Sequence, residues 1–182
     1  DNNLNYVENL LDAVEKNLIS LKVADEAVGN INSIELPLRI DYKDQALIPN
    51  HSFILSAVPE TQESFCYLVT ETCFWERKHH LTEKIFKPIV SKMPFVLAGP
   101  AHNLKYLREY GFKTFDSIID ESYDAIQDHD RRIEAVVTQL QWYCNLSISD
   151  KTLLMEKIEP IVEYNFHHFY GNFKHIITQE LL

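Results

Sequence analysis

A chain of 182 residues with 46% apolar side chains is long enough to bury one substantial core, so one domain is the expectation. Its formal net charge of -10 argues against a non-specific nucleic-acid binder, which needs a basic surface to neutralise phosphates. No apolar run approaches the roughly 20 residues of a membrane-spanning helix. Cys66, Cys73 and Cys144 are odd in number and lack metal-like spacing, which fits a reducing, cytoplasmic setting rather than a disulfide framework. The sequons Asn50-His51-Ser52 and Asn145-Leu146-Ser147 carry little weight without a secretion signal.

Residues 3 to 22 set Leu4, Val7, Leu10, Leu11, Val14, Leu18 and Leu21 at helical spacing, which predicts an amphipathic helix. A second, weaker helical piece ends near Gly29 and Asn30. From Ile31 to Pro59, short apolar runs between Pro37, Pro49 and Pro59 read as loops with one short strand near Leu36 to Ile40. Residues 1–60 thus form a helical and irregular segment ahead of the main unit, 61–182. Since the first residue is Asp1, the chain is expected to be a piece of a longer protein.

Phe65-Cys66-Tyr67-Leu68-Val69-Thr70 is aromatic and β-branched, the composition of a short buried strand. After a polar loop, Thr82 caps a short helix, Phe95 to Ala98 forms a second strand, and a helix from His102 to Tyr110 stops at Gly111. Lys113-Thr114-Phe115 is the predicted third strand. Helices follow over Arg131 to Tyr143 and Asp150 to Leu182, the latter with breaks at Pro160 and Gly171. Strands alternating with helices predict an α/β fold with a Rossmann-like parallel sheet, flanking helices, and helical extensions at both ends. Ligands of such sheets bind outside the carboxyl ends of the strands, here Glu71, Gly99 and Asp116.

The most chemically informative stretch surrounds Thr82-Glu83-Lys84. Lysine in the first turn opposes the helix dipole, so an anion is expected beside Lys84, and the carboxylate of Glu83 beside it is a candidate acceptor for both hydroxyls of a ribose. Pro88 removes a donor inside the helix and frees the carbonyl of Lys84. Arg77, Lys78, Lys84, Lys87 and Lys92, with His79 and His80 among them, make a local basic pocket or, on the plainer reading, a solvated face in which Glu83 pairs with Lys87. His79, His80, His102 and Glu71 are weak metal candidates because adjacent histidines point apart; contact of His79 or His80 with a phosphate is the better functional assignment. Asp128-His129-Asp130 reads as a helix cap, and His167, His168 and His175 with Phe166, Phe169, Tyr170 and Phe173 read as packing.

Thr70-Glu71-Thr72, His80-Leu81-Thr82-Glu83-Lys84-Ile85-Phe86 and Pro94-Phe95-Val96-Leu97-Ala98-Gly99 together resemble the donor-binding domain of the α1,3-fucosyltransferase family. That family pairs an acidic motif at a strand end with a Tyr-Val-Thr-Glu-Lys block and a Pro-Val-Val-Leu-Gly strand. The resemblance implies one half of a metal-independent GT-B glycosyltransferase that binds a nucleotide diphosphate sugar, GDP-linked in preference, for transfer to a glycan or other acceptor. It implies no cofactor. Glu83 would contact the ribose, Lys84 the diphosphate, and Glu71 the donor cleft, with Thr82, Gly99 and His80 completing the site. The family's catalytic base lies in an amino-terminal acceptor domain, which residues 1–60 are too short to supply, so no catalytic residue is assigned and that domain is an expected missing partner. The alternative is a non-catalytic α/β module whose acidic surface and helical tail bind a protein. A dinucleotide enzyme is disfavoured, because the four glycines form no Gly-x-Gly-x-x-Gly turn.

Overall fold

The structure, a computed structural model, describes residues 2–17, 19–33, 61 and 63–180. The chain divides into two compact units, Asp1–Tyr42 and Lys43–Leu182. In the first, α1 (Asn2–Glu15) and α2 (Leu21–Asn32) are the two helical pieces predicted, the first ending at Glu15 instead of running to residue 22. Asn17 is the cause: it takes a φ of 55°, a left-handed conformation that asparagine tolerates at a helix end, while its N–H donates to the Val14 carbonyl at 3.0 Å. Ser20 restarts the helix by accepting from the Val23 N–H at 3.3 Å. α2 then runs through Gly29 instead of ending there. The strand predicted near Leu36 to Ile40 lies outside the described residues.

In the second unit, β1 (Tyr67–Thr70), α3 (Glu83–Val90), β2 (Phe95–Ala98) and α4 (Asn103–Glu109) lead to a 3-10 turn, Ser122–Ala125. Two long helices follow, α5 (His129–Asn145) and α6 (Ile148–His168), then a π-helical turn, Phe169–Phe173, and α7 (Lys174–Glu180). β1 and β2 pair in parallel, with Tyr67 opposite Phe95 and Thr70 opposite Ala98. β2 is buried at every position, whereas in β1 Val69 is buried and Leu68 is exposed. The core gathers Val69, Leu97, Ile85, Ile89, Leu104, Leu107, Val136 and Ile158 from the sheet and the helices on it, with Phe115 from a connecting segment. The described part of the chain is therefore mostly helical, with a small two-stranded parallel sheet between flanking helices.

The predicted third strand is absent, and its hydrogen bonds show why. Asn165 of α6 accepts from the Lys113 N–H and donates to the Lys113 carbonyl, both at 2.8 Å, so one carboxamide replaces a neighbouring strand. The Phe115 N–H donates to Glu121 Oε1 at 2.7 Å. With these main-chain groups paired to side chains, Lys113-Thr114-Phe115 has no need of a ladder. The predicted break at Pro160 is also absent: α6 continues through it, on an exposed turn where water can reach the freed Glu156 carbonyl. Gly171 does fall in an irregular segment, the π turn.

Among the described residues no helix is long and apolar enough to cross a membrane.

Candidate functional site

Parallel pairing brings the carboxyl ends of β1 and β2 together, so Glu71 and Gly99 lie side by side in the sheet direction; the Glu71 N–H donates to the Ala98 carbonyl at 2.9 Å. Above them stands the start of α3. Thr82 is its N-cap, in extended conformation, and accepts from the Lys84 N–H at 3.3 Å as the sequence predicts. What the sequence does not display is the partner on the other side. Glu71 is buried, and its carboxylate accepts from the Thr82 N–H at 3.1 Å and from the Thr82 hydroxyl at 2.8 Å. The negative charge expected at this helix end is therefore supplied from within the chain.

Lys84 and Glu83 remain available. Their side chains are 36% and 23% exposed, and Lys84 Nζ lies 3.8 Å from Glu83 Oε1. The Lys84 ammonium also donates to the hydroxyls of Thr82 and Thr72, at 3.3 and 3.4 Å. The Thr82 oxygen is thus fully committed, donating once and accepting twice. The predicted Glu83–Lys87 pairing does not form; the carboxylate turns to Lys84.

His80 is fixed through its main chain. Asn103, buried at the start of α4, accepts from the His80 N–H at 3.0 Å and donates to the His80 carbonyl at 2.8 Å. Gly99 makes room for this clamp, because a Cβ there would stand 2.8 Å from Asn103 Nδ2. The ring of His79 packs on Tyr106, and His102 Nε2 is 2.9 Å from the Gln127 carboxamide, so these histidines are separately engaged. Among the described residues no group of histidine, cysteine, aspartate and glutamate is placed to hold a metal ion.

Behind the strand ends lies Arg132 of α5, fully buried. Nε donates to the Gly99 carbonyl at 3.1 Å, one terminal nitrogen to the Ile126 carbonyl at 2.8 Å, and the other to the Phe74 carbonyl at 2.7 Å. The guanidinium also stacks 4.4 Å from the Phe74 ring centroid. Burial pushes its pKa below the ordinary arginine value, opposed by the charges of Asp124 and Asp128. Asp124 caps α4 by accepting from the Leu104 and Lys105 N–H groups at 2.8 and 3.1 Å. Arg132 joins three loops at the crevice: the loop after β1, the end of β2, and the approach to α5.

The structure thus gathers Glu71, Thr82, Glu83 and Lys84 into one connected set, and His80 and Gly99 into a second through Asn103. Asp116 stands apart, 3.7 Å from Arg108. Sequence reasoning missed Asn103, Asp124 and Arg132, whose partners are brought together only by folding. A surface groove of about 370 Å³ runs along α6 past Lys92, Glu156, Glu159 and Glu163, away from all these residues; its acidic lining repels phosphates. Compared with protein-family models, curated proteins and solved structures, the chain matches none.

Proposed function

We propose that this chain is the donor-binding half of a metal-independent GT-B glycosyltransferase, holding a nucleotide diphosphate sugar, GDP-linked in preference, above the carboxyl ends of β1 and β2. The observation that carries the reading is the Glu83–Lys84 pair, a partly exposed carboxylate and ammonium at the mouth of a parallel strand pair. Their neighbours Glu71 and Thr82 are consumed in capping α3, whereas among the described residues Glu83 pairs with Lys84 alone. Lys84 would draw in a diphosphate by charge, the two threonine hydroxyls presenting its ammonium, and Glu83 would accept from ribose hydroxyls. The buried Arg132 guanidinium, flanked by the charges of Asp124 and Asp128, holds the backbone at the same strand ends. The catalytic base would come from an amino-terminal acceptor domain, and the chain's own residues would bind and orient the donor.

Calorimetric titration with GDP, UDP, ADP and CMP tests this, each repeated on Glu83→Ala and Lys84→Ala. Selective binding of GDP, weakened by both substitutions, is the expected result; no binding of any nucleotide would refute it. In that event the second reading, a protein-binding module, gains from the exposure of Ile133 and Val137 one turn apart on α5.

A further inference from the structure

Trp75 is the most exposed large aromatic on the loop that joins β1 to α3, with 62% of its surface in water. Its base is rigid. Phe74 is buried, stacked against the Arg132 guanidinium and tied to it through its carbonyl at 2.7 Å, and the Glu76 N–H closes a turn on the Cys73 carbonyl at 3.0 Å. The indole meets the Phe74 and His129 rings edge to face, with centroids 5.1 and 5.3 Å away. Three residues upstream, Thr72 accepts from Lys84 Nζ at 3.4 Å. The chain between Thr72 and Trp75 spans at most about 11 Å, and the turn shortens it. Arg77 and Lys78 are exposed on the same loop.

An exposed indole is costly to hydrate, and the restraints around Phe74 keep this one from folding back into the core. We infer that Trp75 is the base platform of the donor site, stacking the purine of a nucleoside diphosphate whose phosphates lie at Lys84. This inference rests on the donor-site reading above and adds the specificity element to it: a flat, hydrogen-bond-free contact favours the larger purine face over a pyrimidine. Edge contacts to Phe74 and His129 fix the indole plane, so little side-chain freedom is lost when a base stacks.

The test uses the full chain, with GDP, UDP and inorganic diphosphate as probes. Trp75→Ala is expected to weaken GDP about tenfold or more, UDP less, and diphosphate not at all, while Trp75→Phe restores most of the GDP affinity. Because the chain has two tryptophans, a Trp142→Phe background isolates the indole of interest, whose emission GDP should quench and diphosphate should not. Unchanged GDP affinity in Trp75→Ala, with Lys84→Ala still weakening it, would overturn the inference and leave the donor site standing. Equal loss of GDP and diphosphate affinity would also overturn it, since Trp75 would then act only by shaping the loop. Failure of the unmodified chain to bind any probe would overturn both.

Discussion

Replacing Glu71 by alanine separates a structural carboxylate from a ligand-binding one. The buried Glu71 carboxylate accepts two hydrogen bonds from Thr82, at 3.1 and 2.8 Å, and its removal leaves both Thr82 donors without this acceptor. Hydrogen bonds to a charged group contribute about 1.5–3 kcal/mol each, and loss of the charge at a helix start costs up to about 1 kcal/mol more. Water entering the vacated space recovers part of this, so Glu71→Ala is expected to lose about 3 kcal/mol. Glu71→Gln keeps the volume and one acceptor, and should lose about 1–1.5 kcal/mol. Glu83→Ala, at a partly exposed side chain paired only loosely with Lys84, should stay within about 0.5 kcal/mol of the parent. Urea unfolding followed by far-ultraviolet circular dichroism measures all three on one scale, provided the slope with denaturant is unchanged. If Glu71→Ala unfolds within 0.5 kcal/mol of the parent, or Glu83→Ala is the more damaging change, the assignment of roles to these carboxylates is wrong.

Arg132→Lys should lose at least about 3 kcal/mol in the same assay, because a lysine ammonium cannot span carbonyls on three loops; stability near the parent's would show that the fork is dispensable. Gly99→Ala should cost about 1–3 kcal/mol by forcing Asn103 off His80, and amide exchange at His80 should quicken; protection at the parent level would refute the clamp. Burial pushes the Cys66 thiol up to about 12 from 9.0, so the folded chain holds its proton where the unfolded chain releases it. Stability from this source is present below pH 9 and falls as the pH rises toward 12, and Cys66→Ala should flatten that fall. At pH 8, iodoacetamide should modify exposed Cys144 and spare Cys66 until the chain unfolds, as mass spectrometry of the peptides would show.

The legible parts of this fold are those set by near neighbours. Thr82 as a cap, Asp128 as a cap, the strands around Val69 and Val96, and the aromatic packing of Phe169 and Phe173 all follow from local pattern. Long-range polar pairing was illegible. Asn165 satisfies Lys113 from 52 residues away and Asn103 satisfies His80 from 23, so a segment with strand composition remains outside the sheet. Asn17 misled for a different reason: the apolar spacing of α1 continues past it, and only its left-handed backbone marks the break. At the candidate site, the acid and base of Thr82-Glu83-Lys84 could be found by type, but which glutamate is taken up in the helix cap could not.

That distinction constrains how any anion approaches. A helix start usually offers unpaired N–H groups to a phosphate, yet here the Thr82 N–H is taken by Glu71 and the Lys84 N–H by the Thr82 hydroxyl. A phosphate seated directly on this axis would meet the Glu71 carboxylate within a few ångströms, and at an effective dielectric of about 20 two like charges 4 Å apart repel by about 4 kcal/mol. The ammonium of Lys84 bridges the Thr82 hydroxyl at the helix start and the Thr72 hydroxyl on the loop after β1, at 3.3 and 3.4 Å. On the donor-site reading proposed above, a diphosphate would approach from the loop side, over Thr72, and Thr72→Val should then weaken it about threefold to tenfold by freeing the lysine from its seat. Diphosphate binding unaffected by Thr72→Val but enhanced by Glu71→Gln would place the anion on the helix axis and reverse this geometry.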